Sequence, residues 1–128
     1  MAYAAALRDF DFILHEVLRV QESGLPGYGD LDRDTTGAVL SEAGRLAAEA
    51  LRLDALAAAA GWREAGGTDL FRLYETPDAA AAQAGLARGR VWSRIFPWSP
   101  RLLRLGLPGT PAEWEQLALA FAGTEARA

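Results

Sequence analysis

The chain has 128 residues, of which 51% are hydrophobic and 23% are charged, and its net charge is −4. A chain of this length forms one compact domain or two very small ones. The absence of cysteine excludes a disulfide scaffold, thiolate catalysis and a zinc finger. The acidic balance, with no basic run, argues against partners such as nucleic acid or an anionic membrane.

Two further features of the composition bear on chemistry. All 13 basic residues are arginine, and 27 positions are alanine. Because a Schiff base requires a lysine ε-amine, no side chain of this sequence can form one. Alanine favours helix but buries little area, so we expect a lean hydrophobic core.

The sequence also bears on localisation. No stretch approaches the roughly 18 consecutive apolar residues that a membrane span needs. Residues 1–7 are apolar, but no basic region precedes them and Asp9 and Asp11 follow at once, which is unlike a secretory signal. The sequence therefore predicts a cytoplasmic protein.

The N-terminal third is predicted to be helical. Its first helix runs from Leu7 to Val20, because the large apolar residues recur there at the spacing of one helix face. A loop with three glycines and a proline, residues 23–29, then ends the helix. We expect a second helix over residues 35–60, capped by Asp34 and terminated by a glycine at position 61.

After the second helix the pattern changes to β-β-α-β-β-α. The predicted strands are residues 62–65, 70–74, 91–96 and 102–105. Thr76 is predicted to cap the helix between the two strand pairs, which ends at Gly89, and a capping box at 110–113 begins the last helix, which ends before Gly123. The sequence thus predicts an α+β fold: a helical N-terminal hairpin, residues 1–60, followed by a two-layer small domain, residues 61–128.

Arg94 and Arg104 are the candidate binding residues. Arg104 lies between leucines in a predicted strand, where a guanidinium can hold a carboxylate with two parallel hydrogen bonds. The alternative is an ordinary ion pair with an acidic neighbour at the rim of the domain. His15 is the single histidine and is predicted to be a solvated surface residue. No catalytic residue and no metal ligand is predicted.

Several C-terminal segments resemble one enzyme family: Gly61-Trp62, GGTDLFRL at 66–73, WSRIFPWSP at 92–100 and LRLGLP at 103–108. With them, residues 45–128 resemble the C-terminal small domain of the threonine-phosphate decarboxylases. These pyridoxal-phosphate (PLP) enzymes of cobalamin synthesis are similar to histidinol-phosphate aminotransferase. The resemblance implies that Arg104 holds the substrate carboxylate and that Arg94 lines the same pocket. The family more usually has tyrosine at the position of Trp98.

Residues 1–50 resemble a different family. The segments are residues 7–18, LPGY at 25–28, 30–35 and 39–47. They are similar to the opening helices of bacterial acyl-CoA dehydrogenases of the methylthiopropanoyl-CoA dehydrogenase type, which use FAD. The join between the two resemblances falls near residues 45–53, inside one alanine-rich helix.

Neither resemblance includes the residues that carry the chemistry of its family. A PLP enzyme needs a large domain with its aldimine lysine, and a dehydrogenase needs its flavin domain and catalytic glutamate. The sequence therefore predicts a fragment or chimera that is inactive alone, binds neither PLP nor FAD by itself, and pairs with a missing large domain or with copies of itself. Two alternatives stay open. One is an N-terminal fragment of an acyl-CoA dehydrogenase, and the other is a non-catalytic helical interaction module with the apolar stripe Phe10-Ile13-Leu14-Val17.

Overall fold

The computed structural model of the chain describes residues 4–68 and 70–125. It divides into two compact units, Met1–Ala48 and Glu49–Ala128. The first unit contains α1 (Leu7–Phe12), a π-helical turn (Ile13–Val17), a 3-10 turn (Val20–Glu22) and the start of α2 (Arg33–Ala59). Within the described ranges, no helix has both the length and the apolar content to cross a bilayer.

The N-terminal unit departs from the predicted continuous helix. α1 is only six residues long, because the π-helical turn widens the helix at Ile13 and a left-handed residue, Arg19 with φ +48°, then breaks it. The predicted apolar stripe is largely exposed, with Phe10 at 48% and Val17 at 60%. Among the described residues of this unit, Val20 is the one buried hydrophobic side chain.

The prediction that His15 is solvated is wrong. Its side chain is buried, with 8% of the residue exposed. The Nε2 atom lies 2.7 Å from the hydroxyl oxygen of Thr36, and Nδ1 contacts the amide of Gln21. The Thr36 hydroxyl donates to the Asp32 carbonyl at 2.9 Å, so it accepts from Nε2–H. His15 therefore ties the first helical segment to α2 within this unit.

The start of α2 also differs by two residues from the prediction. The Asp32 carboxylate, rather than that of Asp34, accepts a hydrogen bond from the backbone N–H of Thr35 at 2.7 Å. Hydrogen bonds from Thr35 hold the pKa of Asp32 below its usual value.

The C-terminal end of α2 confirms the predicted glycine stop. Gly61 has φ +76°, and the amides of Gly61 and Trp62 donate to the carbonyls of Ala58 and Ala57 at 3.0 and 2.9 Å. This is the Schellman arrangement, in which a left-handed glycine turns the chain so that two orphan carbonyls of the last turn are satisfied. The turn places Trp62 directly before the first strand.

The C-terminal unit contains the end of α2 and the predicted β-β-α-β-β-α order. Its elements are β1 (Arg63–Gly67), β2 (Phe71–Glu75), α3 (Ala79–Arg88), β3 (Arg94–Phe96), β4 (Ser99–Gly106) and α4 (Pro111–Glu125). The strands form one antiparallel sheet in the order β1-β2-β4-β3. The α+β prediction is confirmed. The differences are at the ends: β3 is shorter than predicted, β4 begins at Ser99, and α4 continues past Gly123.

Helices cover one face of this sheet. The core cluster takes Tyr74, Leu103 and Leu105 from the sheet, and the end of α2, α3 and α4 supply most of the rest, including Leu53, Ala57, Leu86, Trp114, Leu117 and Phe121. The Trp62 ring lies 5.0 Å from that of Phe121 and 6.3 Å from that of Tyr74. Residues that alternate with the sheet's core residues therefore lie on the other face.

The helix caps of this unit are partly as predicted. Asp78, not Thr76, caps α3 by accepting from the N–H of Ala81 at 3.0 Å. Thr76 is instead fully buried, and its hydroxyl donates to the Arg101 carbonyl at 3.1 Å. The capping box of α4 is confirmed. The Glu113 carboxylate accepts from the backbone N–H of Thr110 at 3.0 Å, and the backbone N–H of Glu113 donates to the Thr110 hydroxyl at 3.3 Å.

A polar cluster joins α2 to the sheet inside the C-terminal unit. Arg72 donates two hydrogen bonds to the Asp54 carboxylate, at 3.0 and 2.7 Å. The hydroxyl of the fully buried Tyr74 donates to the same carboxylate at 2.7 Å. Burial, and then the bond to Asp54, raises the pKa of Tyr74 far above its usual value.

Candidate functional site

The hairpin of β3 and β4 brings the two predicted site residues together. Arg94 and Arg104 are directly paired across the two strands. Because side chains alternate along a strand, Arg104 lies on the opposite face from its buried neighbours Leu103 and Leu105. Directly paired residues of an antiparallel sheet share a face, so both arginines lie on the face away from the core.

Both arginines line one open cleft of about 440 Å³. The cleft lies where β2 begins, β4 ends and β3 begins, with one side chain from α3. Its lining residues are Phe71, Gln83, Trp92, Ser93, Arg94, Ile95, Arg104 and Gly106. The ten-residue spacing of the two arginines thus becomes a shared site because a hairpin turns between them.

Neither guanidinium forms an ion pair within the described part of the chain, so the predicted alternative of a rim ion pair is not observed. Three other arginines of the sheet do have carboxylate partners: Arg63 and Arg101 contact Glu75, and Arg72 contacts Asp54. Arg104 and Arg94 instead contact aromatic rings. The guanidinium carbon of Arg104 lies 4.6 Å from the centre of the Phe71 ring, and that of Arg94 lies 5.8 Å from Phe96.

The lack of a carboxylate partner among the described residues has an electrostatic consequence. Like charges placed directly opposite in a sheet repel each other. A bound anion relieves that repulsion and provides acceptors for both planar donor groups. The described residues of the cleft supply no carboxylate that balances the two charges of this pair.

Six of the eight residues that line the cleft were not predicted as site residues, and two of these six, Ser93 and Gln83, meet where the chain enters β3. Ser93 is 3% exposed, and its hydroxyl has no hydrogen-bond partner among the described residues. The side-chain amide of Gln83 donates to the Ser93 carbonyl at 2.9 Å, which fixes the backbone just before Arg94. A single serine or glutamine in a sequence does not indicate that it lines a cleft. The position of these two side chains depends on how α3 packs beside β3.

Trp98 lies outside the residues that line the cleft. Its ring packs at 5.0 Å on that of Phe96, in the turn between β3 and β4. Position 98, for which the resemblance implies tyrosine, is therefore not part of the cleft lining.

The residues of this chain do not fit covalently bound PLP. The cofactor is held as a Schiff base by a lysine, and the sequence contains none. The cleft offers two guanidinium groups for anions but no amine. In the described ranges there is also no group of three or more histidine or acidic side chains that would hold a metal ion.

Comparison with known proteins gives two relatives, and no family model matches the chain. Threonine-phosphate decarboxylase of Pseudomonas aeruginosa is 42% identical over 79 residues, which is 62% of this chain and 24% of that protein. Threonine-phosphate decarboxylase of a Sinorhizobium species is 41% identical over 73 residues, which is 57% of this chain and 22% of that protein. The chain thus spans about a quarter of the length of the curated relatives that it matches.

The length of the longer match bears on where it lies. An alignment of 79 residues exceeds the unit Met1–Ala48, so it includes part of Glu49–Ala128, the unit with the cleft. Neither relative is an acyl-CoA dehydrogenase, and the resemblance of residues 1–50 to that family stays a prediction.

Proposed function

We propose that Glu49–Ala128 is an anion-binding small domain of a PLP-dependent enzyme related to threonine-phosphate decarboxylase. The observation that supports it best is that Arg94 and Arg104 lie opposite each other in one cleft, with no carboxylate partner in residues 4–68 and 70–125. In this proposal Arg104 binds the carboxylate of the substrate, and Arg94 contacts the same ligand.

The chemistry of the relatives' substrate agrees with two arginines that have no ion-pair partner in the part of the chain that the structure describes. A phosphorylated amino acid carries a carboxylate and a phosphate, and each is a good acceptor for a guanidinium. One hydrogen bond to a charged group contributes about 1.5–3 kcal/mol, so two contribute about 3–6 kcal/mol before the costs of binding. Before those costs, this range corresponds to dissociation constants from about 6 mM to about 40 μM, and the costs of binding weaken the affinity toward the millimolar range or beyond. We therefore expect weak but measurable binding.

The same proposal assigns no catalysis to this chain alone. Without lysine it has no side-chain amine with which to hold PLP covalently. The lysine would come from a separate large domain. In the relatives, such a domain would lie in the three quarters of their length that this chain does not match. Release of carbon dioxide from O-phospho-L-threonine by the purified chain with added PLP would contradict this part of the proposal.

The binding proposal is tested by titrating the chain with O-phospho-L-threonine and following backbone amide signals by NMR. We expect shifts at the cleft and a loss of at least tenfold in affinity for Arg104→Gln. Arg63→Gln is the matched control, because Arg63 lies in the same sheet, pairs with Glu75 and does not line the cleft. Equal binding by wild type and Arg104→Gln, or equal loss in Arg63→Gln, would refute the proposal.

A second candidate is the helical interaction module, and one observation favours it. The stripe residues Phe10, Ile13 and Val17 are exposed in a unit whose described part buries little besides Val20. Exposed apolar patches of this kind mark contact surfaces. Sedimentation at increasing protein concentration tests this candidate. If the chain associates and the substitutions Phe10→Ser and Val17→Ser abolish the association, the module is supported. If the chain is a monomer at all concentrations, self-pairing is refuted.

A further inference from the structure

We propose that Phe71 is a positioning residue for Arg104, and that Gly106 provides the space that its ring needs. This inference rests on the proposed anion-binding function and extends it to a residue that does not itself donate to the ligand. It follows from the register of β2 and β4, from a close approach at Gly106, and from the ring contact of Arg104.

The register places the three residues on one face. Phe71 pairs directly with Gly106, and Leu73 pairs with Arg104. Two residues apart on β4, Arg104 and Gly106 share the face away from the core. Phe71 therefore lies diagonally across from Arg104, at the distance that aromatic and long side chains bridge.

Gly106 leaves room for the Phe71 ring beside the strand. A Cβ atom at position 106 would lie 3.6 and 3.7 Å from two carbons of that ring. These are ordinary contact distances, so the ring already occupies the space into which a larger side chain would extend. An aromatic ring packed over a cross-strand glycine is a recognised device of antiparallel sheets. Here it turns the ring toward Arg104.

The ring contact fixes how Arg104 presents its donors. Its guanidinium carbon lies 4.6 Å from the Phe71 ring centre. A guanidinium stacked on a ring engages the ring with its flat face, so the N–H groups at its edge stay available to a planar carboxylate. Holding a long side chain in one conformation before binding also reduces the entropy that binding removes.

Phe71 can be changed without a large loss of packing, because 43% of it is exposed. In Phe71→Leu we expect about fivefold weaker binding of O-phospho-L-threonine, equivalent to about 1 kcal/mol, the size of an exposed cation–π contact. Phe71→Trp keeps an aromatic face at this position, so we expect it to bind O-phospho-L-threonine as the wild type does. Phe12→Leu makes the same exchange at an exposed helix position in the other unit and leaves binding unchanged.

A second readout needs no ligand. The side-chain NMR signals of Arg104 are shifted by the ring current of Phe71 in the wild type and in Phe71→Trp, and that shift is lost in Phe71→Leu. If Arg104→Gln weakens binding but Phe71→Leu neither weakens it nor moves the Arg104 signals, this inference is wrong and the proposed function stands. If the wild type binds no O-phospho-L-threonine, or if Arg104→Gln binds as wild type does, the proposed function fails and this inference with it.

Discussion

The buried phenol of Tyr74 gives the C-terminal unit a predictable loss of stability at alkaline pH. Burial and the bond to Asp54 raise its pKa in the folded chain. A group whose pKa is raised on folding contributes stability that is complete below its unfolded pKa, about 10 for tyrosine, and is lost as the pH rises above it. The reason is that the unfolded chain releases a proton that the folded chain retains.

The size of the loss follows from linkage. Above pH 10 the free energy of unfolding falls by about 1.4 kcal/mol per pH unit for one such tyrosine. The expected loss is about 1.4 kcal/mol at pH 11 and about 2 kcal/mol at pH 11.5. The composition makes this measurable, because the chain has no lysine, no cysteine and only three tyrosines.

The assay is urea unfolding followed by circular dichroism at intervals from pH 8 to pH 11.5. Tyr74→Phe is expected to be less stable at pH 8, by about 1.5–3 kcal/mol for the lost hydrogen bond to the Asp54 carboxylate, but to lack the alkaline decline. Tyr28→Phe changes an exposed ring and is expected to keep the wild-type decline. Parallel declines in wild type and Tyr74→Phe would refute the reasoning.

Two further predictions concern helix ends. Gly89→Ala should lower the free energy of unfolding by about 1–3 kcal/mol in urea, because its Cβ would lie 2.5 Å from the Cβ of Ala120; Gly123→Ala, in open space, is the control. Glu113→Ala should destabilise α4 at pH 7 but not well below pH 4. Amide donors at Gly109 and Thr110 lower the pKa of Glu113, so its contribution is lost as the pH falls. If the free energies of unfolding of wild type and Glu113→Ala still differed at pH 2.5 as they do at pH 7, this prediction would be contradicted.

Local signals in the sequence predicted the ends of elements well where the chain itself supplies the partner. The capping box of Thr110 and Glu113 and the glycine stop at Gly61 each involve groups within five residues. The prediction for Thr76 was wrong although threonine is a residue type that often caps helices. Its hydroxyl instead donates a hydrogen bond to the carbonyl of Arg101 in β4.

Features that depend on distant partners were not predictable in this way. His15 occupies a helix position that reads as exposed, and it is buried because Thr36 and Gln21 meet its ring. Arg94 and Arg104 were found as candidates, but the lack of a carboxylate partner for them among the described residues depends on how each acidic side chain packs, which the sequence alone does not give. The place of Phe71 over Gly106 depends on the register of two strands that pairs residues 35 positions apart, which no periodicity fixes.

The turn at the end of α2 links the backbone order of that helix to the aromatic packing beside it. The amide of Trp62 closes the last turn by donating to Ala57, while the ring of the same residue packs against Phe121. An ordinary helix end frays one bond at a time, but here the final bond cannot open without withdrawing an indole from its neighbours. Hydrogen exchange at this amide should therefore proceed through unfolding of the whole unit, as slowly as exchange in the middle of the sheet.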